Sequence, residues 1–307
     1  KLRMPFMFVA SVPYFPAAAS FSPSRKRAAG CLNRLPDRWL AYGFNKKKTK
    51  EMNDWRVRLG MQPFRGPCLK QLERQRVPVL HAYSPTLLPL PRESGEHHFI
   101  SGAIGLDRSR HLSPVGMQPK LRDELKAWLD SGSAPIYFGV GSLPPHMTAK
   151  GVDMIVELTQ QLQARAIVPS RLFQGGAIGH RLSESIRLVD AADPLALFSR
   201  CSCVIHDGNA DTTHAVIEAG KPAVICSVDW EQRLWGERIE EHRVGSHLAR
   251  SKLTLPGLIK AIRKQLSDPA QKRAAELGVR LRSENGLQRG LEWVEQRLPI
   301  APVYNND

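Results

Sequence analysis

The chain has 307 residues, of which 42% are hydrophobic and 24% are charged, a globular composition that excludes global disorder. It contains no apolar run of the roughly 18 residues that a membrane-spanning helix needs. The 44 basic residues exceed the 29 acidic ones by 15 charges, and residues 1–100 alone hold 18 basic and 6 acidic residues. The positive charge therefore belongs mainly to the first third of the chain.

The cysteines do not form the pattern of a disulfide framework, because their number is odd and their spacing is irregular. Cys201 and Cys203 make a Cys-x-Cys pair, but no second pair of ligands follows at zinc-finger spacing, so we predict no metal site. Unpaired thiols are typical of reducing compartments, and we expect a cytoplasmic protein. The five cysteines are Cys31, Cys68, Cys201, Cys203 and Cys226.

Short predicted elements and two basic runs make up the first 105 residues, which we assign to an N-terminal domain. A helix is predicted over Met52–Leu59 and ends at Gly60. The basic runs, Ser24–Arg27 and Lys46–Lys50, lie on either side of three aromatic side chains. These are Trp39, Tyr42 and Phe44. The predicted strands are Met4–Val12, Val77–Tyr83 and His98–Ile104.

Residues 106–133 are polar with scattered Pro and Gly, which predicts a linker that carries a helix over Leu121–Leu129. From Ala134 onward apolar strands alternate with helical patterns, so residues 134–307 are predicted to form a parallel, doubly wound domain. Its tail, Leu253–Leu298, predicts two or three helices, with Thr254 as a cap and Pro269 opening the next helix. The predicted strands are Ile136–Val140, Ala166–Val168, Ile186–Val189, Cys203–His206, Ala223–Cys226 and Val244–Leu248.

Three segments carry residues suited to ligand binding at the edge where open α/β sheets bind their ligands. Phe138–Ser142 reads Phe-Gly-Val-Gly-Ser and permits close backbone approach to a ligand, although taken alone the motif is weak and is more often a plain tight turn. Val204–Pro222 predicts strand, glycine loop and helix, which brings backbone N–H groups and two Thr hydroxyls to an anion site. Alternatively, Asp211 simply caps that helix. Glu231 and Gln232 open a further helix and can bond sugar hydroxyls or merely face solvent.

Together these segments resemble the C-terminal half of the GT-B fold glycosyltransferases, in the branch of the sterol 3-β-glucosyltransferases. The family starts with a glycine-rich loop and further βα units that we do not find, so we expect an N-terminally truncated member. The similar segments are Pro135–Leu143, Leu197–Cys201, His206–Thr213, Ala219–Pro222, Glu231–Ile239 and Arg282–Gly286, and upstream Trp55–Gly60, Leu80–Pro85 and Leu88–Pro91.

The resemblance implies two Rossmann-like domains that face a cleft, the N-terminal one incomplete, with the nucleotide-sugar donor on the C-terminal domain and the acceptor on the other. It implies no required cofactor, and it places the catalytic base in the N-terminal region that matches nothing here. Glu231 and Gln232 would hold the donor sugar. The residues implied at the donor diphosphate are Gly141, Ser142, Asp207, Gly208, Asn209, Thr212 and Thr213.

Departures from the family pattern concern the charge of this diphosphate site. Asp207 stands where the family has a phosphate-binding His, Asp211 replaces a Gly, and Asn209 replaces another. One like-charge contact at ~4 Å costs roughly 4 kcal/mol at an effective dielectric constant of about 20. The helix dipole and each backbone N–H donor stabilise a bound diphosphate by only about 0.3–1 kcal/mol each. We therefore expect weak UDP-glucose binding, unless the acids turn away or hold Mg²⁺ or Mn²⁺ against the diphosphate.

Several histidines have no matching motif in the family. His206 is kept one residue before the family's phosphate-binding position and is predicted to point to the other side of its strand. His214 is predicted to pack inside or to contact the acceptor. The remaining histidines of interest are interpreted as structural or surface residues; they are His81, His97, His98 and His111.

Two functions follow from these patterns. The resemblance implies transfer of a hexose, glucose from a UDP-sugar, to a hydroxyl of a sterol, lipid or other hydrophobic acceptor. The alternative is a non-catalytic or degenerate homologue that binds a lipid, a membrane or a partner. The basic 1–100 segment is either a solvated face or a surface for anionic membranes. Nucleic acid is not expected, because no base-stacking or groove-reading motif accompanies the charge.

Overall fold

The computed structural model describes residues 7–12, 35–90, 94–104, 121, 123–139, 148–170, 183–190 and 192–297. The chain divides into two compact units. Unit 1 comprises Lys1–Ile104 together with Asn285–Asp307, and unit 2 comprises Gly105–Glu284. Within the described ranges no helix is both long and apolar enough to cross a membrane.

Unit 1 is built on a parallel sheet with the order β1-β2-β3. Val79 and Leu80 of the middle strand are buried, and they pair with Phe8 and Val9 on one side and with His98 and Phe99 on the other. The strands are β1 (Phe8–Ala10), β2 (Val79–His81) and β3 (His98–Ile100), and the helices are α1 (Leu35–Arg58), α2 (Cys68–Arg74) and α10 (Gly286–Glu295).

The last described helix, α10, belongs to unit 1, whereas residues 134–307 are predicted from the sequence to form one domain. Trp293 stacks on Phe99 of β3 with the ring centroids 5.4 Å apart. The guanidinium of Arg289 donates a hydrogen bond to the carbonyl of Ile100 over 3.2 Å. A Cβ atom on Gly286 would lie 2.3 Å from the carbonyl oxygen of Ala103, so glycine allows the close backbone approach. These contacts explain why residues 285–297 belong with the N-terminal unit and not with the predicted domain 134–307.

Unit 2 contains six parallel strands in the order β6-β5-β4-β7-β8-β9, which confirms the doubly wound sheet. Its strands are β4 (Ile136–Gly139), β5 (Ala166–Pro169), β6 (Ile186–Val189), β7 (Cys203–His206), β8 (Ala223–Ser227) and β9 (Gly245–Ala249). Its helices are α3 (Asp123–Asp130), α4 (Thr148–Leu162), α5 (Pro194–Phe198), α6 (Ala210–Glu218), α7 (Trp230–Glu241), α8 (Leu255–Gln265) and α9 (Asp268–Arg282).

Strands β7 and β8 lie in the middle of unit 2 and are buried along their whole length. Their unbroken apolar runs are what a sheet covered on both faces requires. The thiols of Cys201 and Cys226 are buried, and burial raises the pKa of each to about 12. Cys203, in β7, is buried as well, and its thiol pKa is also raised. These cysteines are therefore neutral core side chains.

The predicted caps and most predicted elements of unit 2 are confirmed. Thr254 caps α8 by accepting a hydrogen bond from the N–H of Gly257, and Pro269 lies in the first turn of α9. The first helix is longer than predicted, since α1 starts at Leu35 and includes the basic run Lys46–Lys50. That run lacks apolar periodicity and gave no helical pattern, yet Lys has a good intrinsic helix propensity.

Candidate donor-binding site

The candidate site lies at the carboxyl ends of β4 and β7. The chain crosses from one half of the sheet to the other between these strands, which is where open α/β sheets bind ligands. Gly139, the last residue of β4, pairs with His206, the last residue of β7. The two predicted glycine segments are thus brought to neighbouring strand ends. Gly141 and Ser142 lie outside the described residues.

The loop after β7 is held by hydrogen bonds of its own side chains. The N–H of Gly208 donates to Nδ1 of His206 over 3.1 Å. Oδ1 of Asp207 accepts from the backbone N–H of Asn209 at 3.3 Å and from the side-chain amide at 3.0 Å. Asp207 is therefore oriented by Asn209, and one carboxylate oxygen already has two donors.

Asn209, and not Asp211, is the N-cap of α6, so the interpretation of Asp211 as a cap is wrong. Oδ1 of Asn209 accepts from the N–H of Thr212 over 2.8 Å. Asp211 lies in the first helical turn and is exposed. A carboxylate there is favoured by the helix dipole, which explains its tolerance at a helix start. Thr213 is buried, and its hydroxyl donates to the carbonyl of Asn209 over 2.7 Å. That hydroxyl has a hydrogen-bond partner inside the protein, and its contact with a diphosphate stays a prediction.

Gly208 brings the loop after β7 against the start of α7. Its φ angle is +96°, and an added Cβ would lie 2.5 Å from Cγ2 of Ile225 and 2.9 Å from the carbonyl oxygen of Gln232. Only glycine satisfies both the positive φ and this contact. The predicted phosphate and sugar segments are consequently adjacent.

The start of α7 positions Glu231 and Gln232. Asp229 caps the helix by accepting from the N–H of Gln232 over 2.9 Å, and Oε1 of Gln232 accepts from the N–H of Val228 over 2.7 Å. The pattern Asp-x-x-Gln is close to a capping box, which sequence reasoning missed. The Gln232 oxygen is thereby engaged, and its NH₂ group is the part suited to a ligand oxygen.

Carboxylates concentrate at this edge of the sheet. Half-burial raises the pKa of Glu231, and the charges of Asp229 and Asp211 raise it further. The negative charges of Asp229 and Asp211 therefore act on Glu231 at this edge of the sheet. Among the residues that the structure describes, Asp207 and Asp211 do not join a third ligand in a cluster compact enough for a metal. The idea of Mg²⁺ or Mn²⁺ at this pair thus gains no support from the protein ligands.

A basic side chain that the sequence analysis missed lies near the same edge. Burial raises the pKa of the Cys226 thiol, the positive charge of Arg250 lowers it, and the charge of Asp207 raises it. Both side chains therefore act on one buried sulfur at the end of β8. Arg250 follows β9 without any motif, so only the three-dimensional fold reveals it.

Both candidate histidines of unit 2 are buried. Burial lowers the pKa of His206 to about 4, so its ring is neutral at pH 7 and Nδ1 can accept from Gly208. The Nδ1 atom of His214 lies 2.7 Å from the carbonyl of Ala210, and its ring contacts Trp235 edge-on at 4.8 Å. Of the two predicted alternatives for His214, packing agrees with this structure. The ring of His206 supports the loop from within the strand.

A family comparison agrees with this geometry. Residues 154–289 match the family described as "Erythromycin biosynthesis protein CIII-like, C-terminal domain". This part of the chain is thus similar to the C-terminal domain of a glycosyltransferase family. The match covers β5 to β9 and therefore includes the loop after β7 and the start of α7.

Curated relatives extend the similarity of this glycosyltransferase domain toward the N-terminus. A sterol 3-beta-glucosyltransferase of Arabidopsis thaliana is 30% identical over 75% of this chain and 35% of its own length. An uncharacterized protein of Mycobacterium bovis is 28% identical over 79% of this chain and 54% of its own length. The chain thus spans about half or less of these relatives.

Solved structures confirm the GT-B fold. The glycotransferase of kitacinnamycin superposes with a TM-score of 0.61 at 18% identity, covering 82% of this chain and 62% of that one. LpCGTa, solved in complex with UDP, gives a TM-score of 0.55 at 13% identity over 72% of this chain and 54% of its own. At such identities the likeness establishes the fold alone.

Proposed function

We propose that this chain binds the nucleotide-sugar donor of a hexosyl transfer, with UDP-glucose as donor and a sterol, lipid or other hydrophobic alcohol as acceptor. The observation that carries the proposal is the adjacency of the Gly208 loop and the start of α7 at the switch point of the sheet. The plant relative is named a sterol 3-beta-glucosyltransferase, and LpCGTa was solved with UDP. The first name supports glucose and a sterol acceptor, and the second supports UDP as the nucleotide.

The proposed reaction is a direct displacement at the anomeric carbon. The acceptor oxygen forms a bond to that carbon while the bond from carbon to the diphosphate oxygen breaks, and the acceptor proton passes to a general base. The leaving diphosphate gains negative charge, which the N-terminus of α6 and nearby N–H groups stabilise. Glu231 accepts hydrogen bonds from sugar hydroxyls, and the NH₂ group of Gln232 donates to them.

A comparison of UDP with UDP-glucose tests the sugar-binding role. We expect Glu231→Ala and Gln232→Ala to weaken UDP-glucose binding about tenfold each, the loss of roughly one hydrogen bond, and to leave UDP binding nearly unchanged. Calorimetry on the intact chain measures both ligands. Glu237→Ala, on the same helix but paired with Arg233, is the matched control. Equal losses for UDP and UDP-glucose would place these residues away from the sugar and contradict the proposal.

We further propose that α1 and the residues after it contact anionic membranes. Lys46, Lys47 and Lys50 are exposed on this helix. At its C-terminal end Trp55, Val57 and Leu59 are 62%, 61% and 70% exposed. Basic side chains beside exposed apolar ones are the combination that an anionic lipid surface attracts. This arrangement suits an enzyme that takes a lipid acceptor.

Charge reversal on α1 tests the membrane contact. The triple variant Lys46→Glu, Lys47→Glu, Lys50→Glu should bind phosphatidylserine vesicles at least about tenfold more weakly, since each basic residue adds about 1 kcal/mol near such a surface. Co-sedimentation at low and high salt measures the effect. Lys260→Glu, Lys264→Glu, Lys272→Glu makes the same charge change in unit 2. A similar loss in both triple variants would show that only net charge matters.

A further inference from the structure

Three side chains of unit 1 converge outside the candidate donor site. Nε2 of His97 lies 3.0 Å from Oε2 of Glu73, and Nε2 of His98 lies 3.0 Å from Oε1 of the same carboxylate. One ligand atom from each residue can be chosen so that all three atoms lie within 4.8 Å of one another. We call this set the Glu73–His97–His98 cluster. It joins the last turn of α2 to the start of β3.

The backbone around the cluster holds both imidazoles in place. The carbonyl of His97 accepts from the N–H of Val79 at 2.8 Å, and the N–H of His98 donates to the carbonyl of Gly95 at 2.9 Å. The ring of His97 packs on Gly95, where an added Cβ would lie 2.6 Å from Cε1. Both histidines are therefore fixed at the edge of a paired strand before any ligand arrives.

His98 has an outer partner as well. Its Nδ1 lies 2.9 Å from Nε2 of His81 at the end of β2, and the two rings are stacked. A metal-binding histidine usually bonds its second ring nitrogen to another group, which fixes its tautomer and orientation. His81 provides this contact when Nε2 of His98 faces the carboxylate.

We propose that the Glu73–His97–His98 cluster binds a divalent zinc ion or another late first-row transition metal. Two imidazole nitrogens and one carboxylate oxygen are ligands that zinc takes in proteins, with water in the fourth position. Metal–ligand bonds of about 2.0–2.2 Å in a tetrahedron separate ligand atoms by about 3.3 Å, so the observed 3.0 Å contacts need to open only slightly. Each imidazole binds the ion in its neutral form, with Nε2 coordinating and the ring proton on Nδ1, so the proton moves within the ring and coordination replaces the two hydrogen bonds. In bound His98 the Nδ1–H donates to Nε2 of His81, whose own proton then lies on Nδ1.

Burial is compatible with entry of the ion. The side chains of His98 and His97 are 3% and 12% exposed, whereas the Glu73 side chain is 30% exposed. Solvent and metal can therefore reach the cluster from the side on which the Glu73 carboxylate is exposed. Bound there, the ion ties α2 to β3 and stabilises unit 1, because it binds the folded form and not the unfolded one.

Spectroscopy on the intact, untagged chain tests the site. After removal of metals with EDTA and dialysis, Co²⁺ should bind one equivalent per chain with the intense visible absorption of a tetrahedral nitrogen–oxygen site. Zn²⁺ should displace it in a competition titration and should raise the thermal unfolding midpoint of the wild-type chain. Because these measurements need no variant, a folding defect cannot mimic them.

Variants then assign the binding to these residues. Zn²⁺ binding should weaken by about 100-fold or more in each of the ligand variants Glu73→Gln, His97→Asn and His98→Asn. His81→Asn should weaken it by about 10- to 100-fold, because His98 then loses the hydrogen bond that orients its ring. His242→Asn, a histidine of unit 2, should bind as the wild type does. Circular dichroism checks that each variant is folded. No stoichiometric Co²⁺ absorption in the wild type, or unchanged Zn²⁺ affinity in folded Glu73→Gln and His97→Asn chains, would overturn the proposal.

Discussion

Asp207→His combined with Asp211→Gly should raise the affinity of the chain for UDP by about 10- to 1,000-fold, or about 1.4–4 kcal/mol. The variant removes two negative charges from the loop and helix start that face the proposed diphosphate. Asp211 is exposed, and its charge reaches Glu231, so a diphosphate bound at this edge meets the combined field of several acids. Calorimetry with UDP in EDTA measures the gain.

The structure sharpens the reason for this expectation. Asn209 is the cap, so Asp211 does not compete for the N–H groups of the helix start. Its effect on a diphosphate is repulsion alone. Asp207 keeps its carboxylate in the loop because Asn209 donates to it twice. Replacement of Asp207 therefore removes a charge and also releases Asn209, and the single variants should differ for that reason.

The control for net charge is Asp268→Asn, which neutralises an exposed first-turn acid of α9 and should leave UDP affinity unchanged. Two other results would contradict simple repulsion between the acids and the diphosphate. If Mg²⁺ bridges the acids to the diphosphate, the unaltered chain binds UDP only with Mg²⁺ and the double variant loses that dependence. Micromolar binding of UDP by the unaltered chain in EDTA would show that the acids do not repel the donor.

Gly208→Ala should abolish measurable UDP binding and lower the free energy of unfolding by about 1–3 kcal/mol more than Gly66→Ala does. Both glycines have a φ near +100°, so both variants introduce similar backbone strain. An added Cβ at Gly66 has open space around it, whereas at Gly208 it meets Ile225 and the backbone of Gln232. The difference between the two variants therefore isolates the clash in the loop.

Urea denaturation of both variants followed by circular dichroism gives the unfolding energies, and calorimetry gives UDP affinity. Gly66→Ala should bind UDP as the unaltered chain does, since Gly66 lies in unit 1. Equal stability losses would mean that the loop after β7 relaxes at little cost. Retained UDP binding in Gly208→Ala would mean that the close packing of this loop on α7 is not needed for the donor.

The sheet of unit 2 could be predicted because β5, β7 and β8 are buried along their whole length and so appear as unbroken apolar runs. The predicted limits of Cys203–His206 are those of the structure. The helix caps Thr254 and Asn209 show which N-caps can be predicted from sequence and which cannot. Thr254 precedes a clear apolar period, whereas Asn209 and Asp211 are both good caps two residues apart, and only backbone geometry decides between them.

Residues of the sites that depend on distant contacts could not be predicted. Glu73 precedes His97 by 24 positions, a separation without a metal-binding pattern, and the pairing of β2 with β3 is what places the histidines. For His206 the sequence predicts a side chain on the other side of the strand from the phosphate. It does not predict that the buried ring accepts a hydrogen bond from the N–H of Gly208. The capping role of Gln232 depends on the backbone turn that brings the N–H of Val228 to its side-chain oxygen.

The packing of α10 returns the chain to unit 1 after unit 2 is complete. Arg289 and Ile100 bond across 189 positions of sequence, so unit 2 is in effect inserted into unit 1. During synthesis the strands of unit 1 emerge long before the helix that covers Phe99, whereas every strand of unit 2 is complete by then. Among the described elements, β3 therefore gains its contacts with α10 only after every strand of unit 2 has been synthesised, and we expect a destabilising change in α10 to weaken the packing of Phe99.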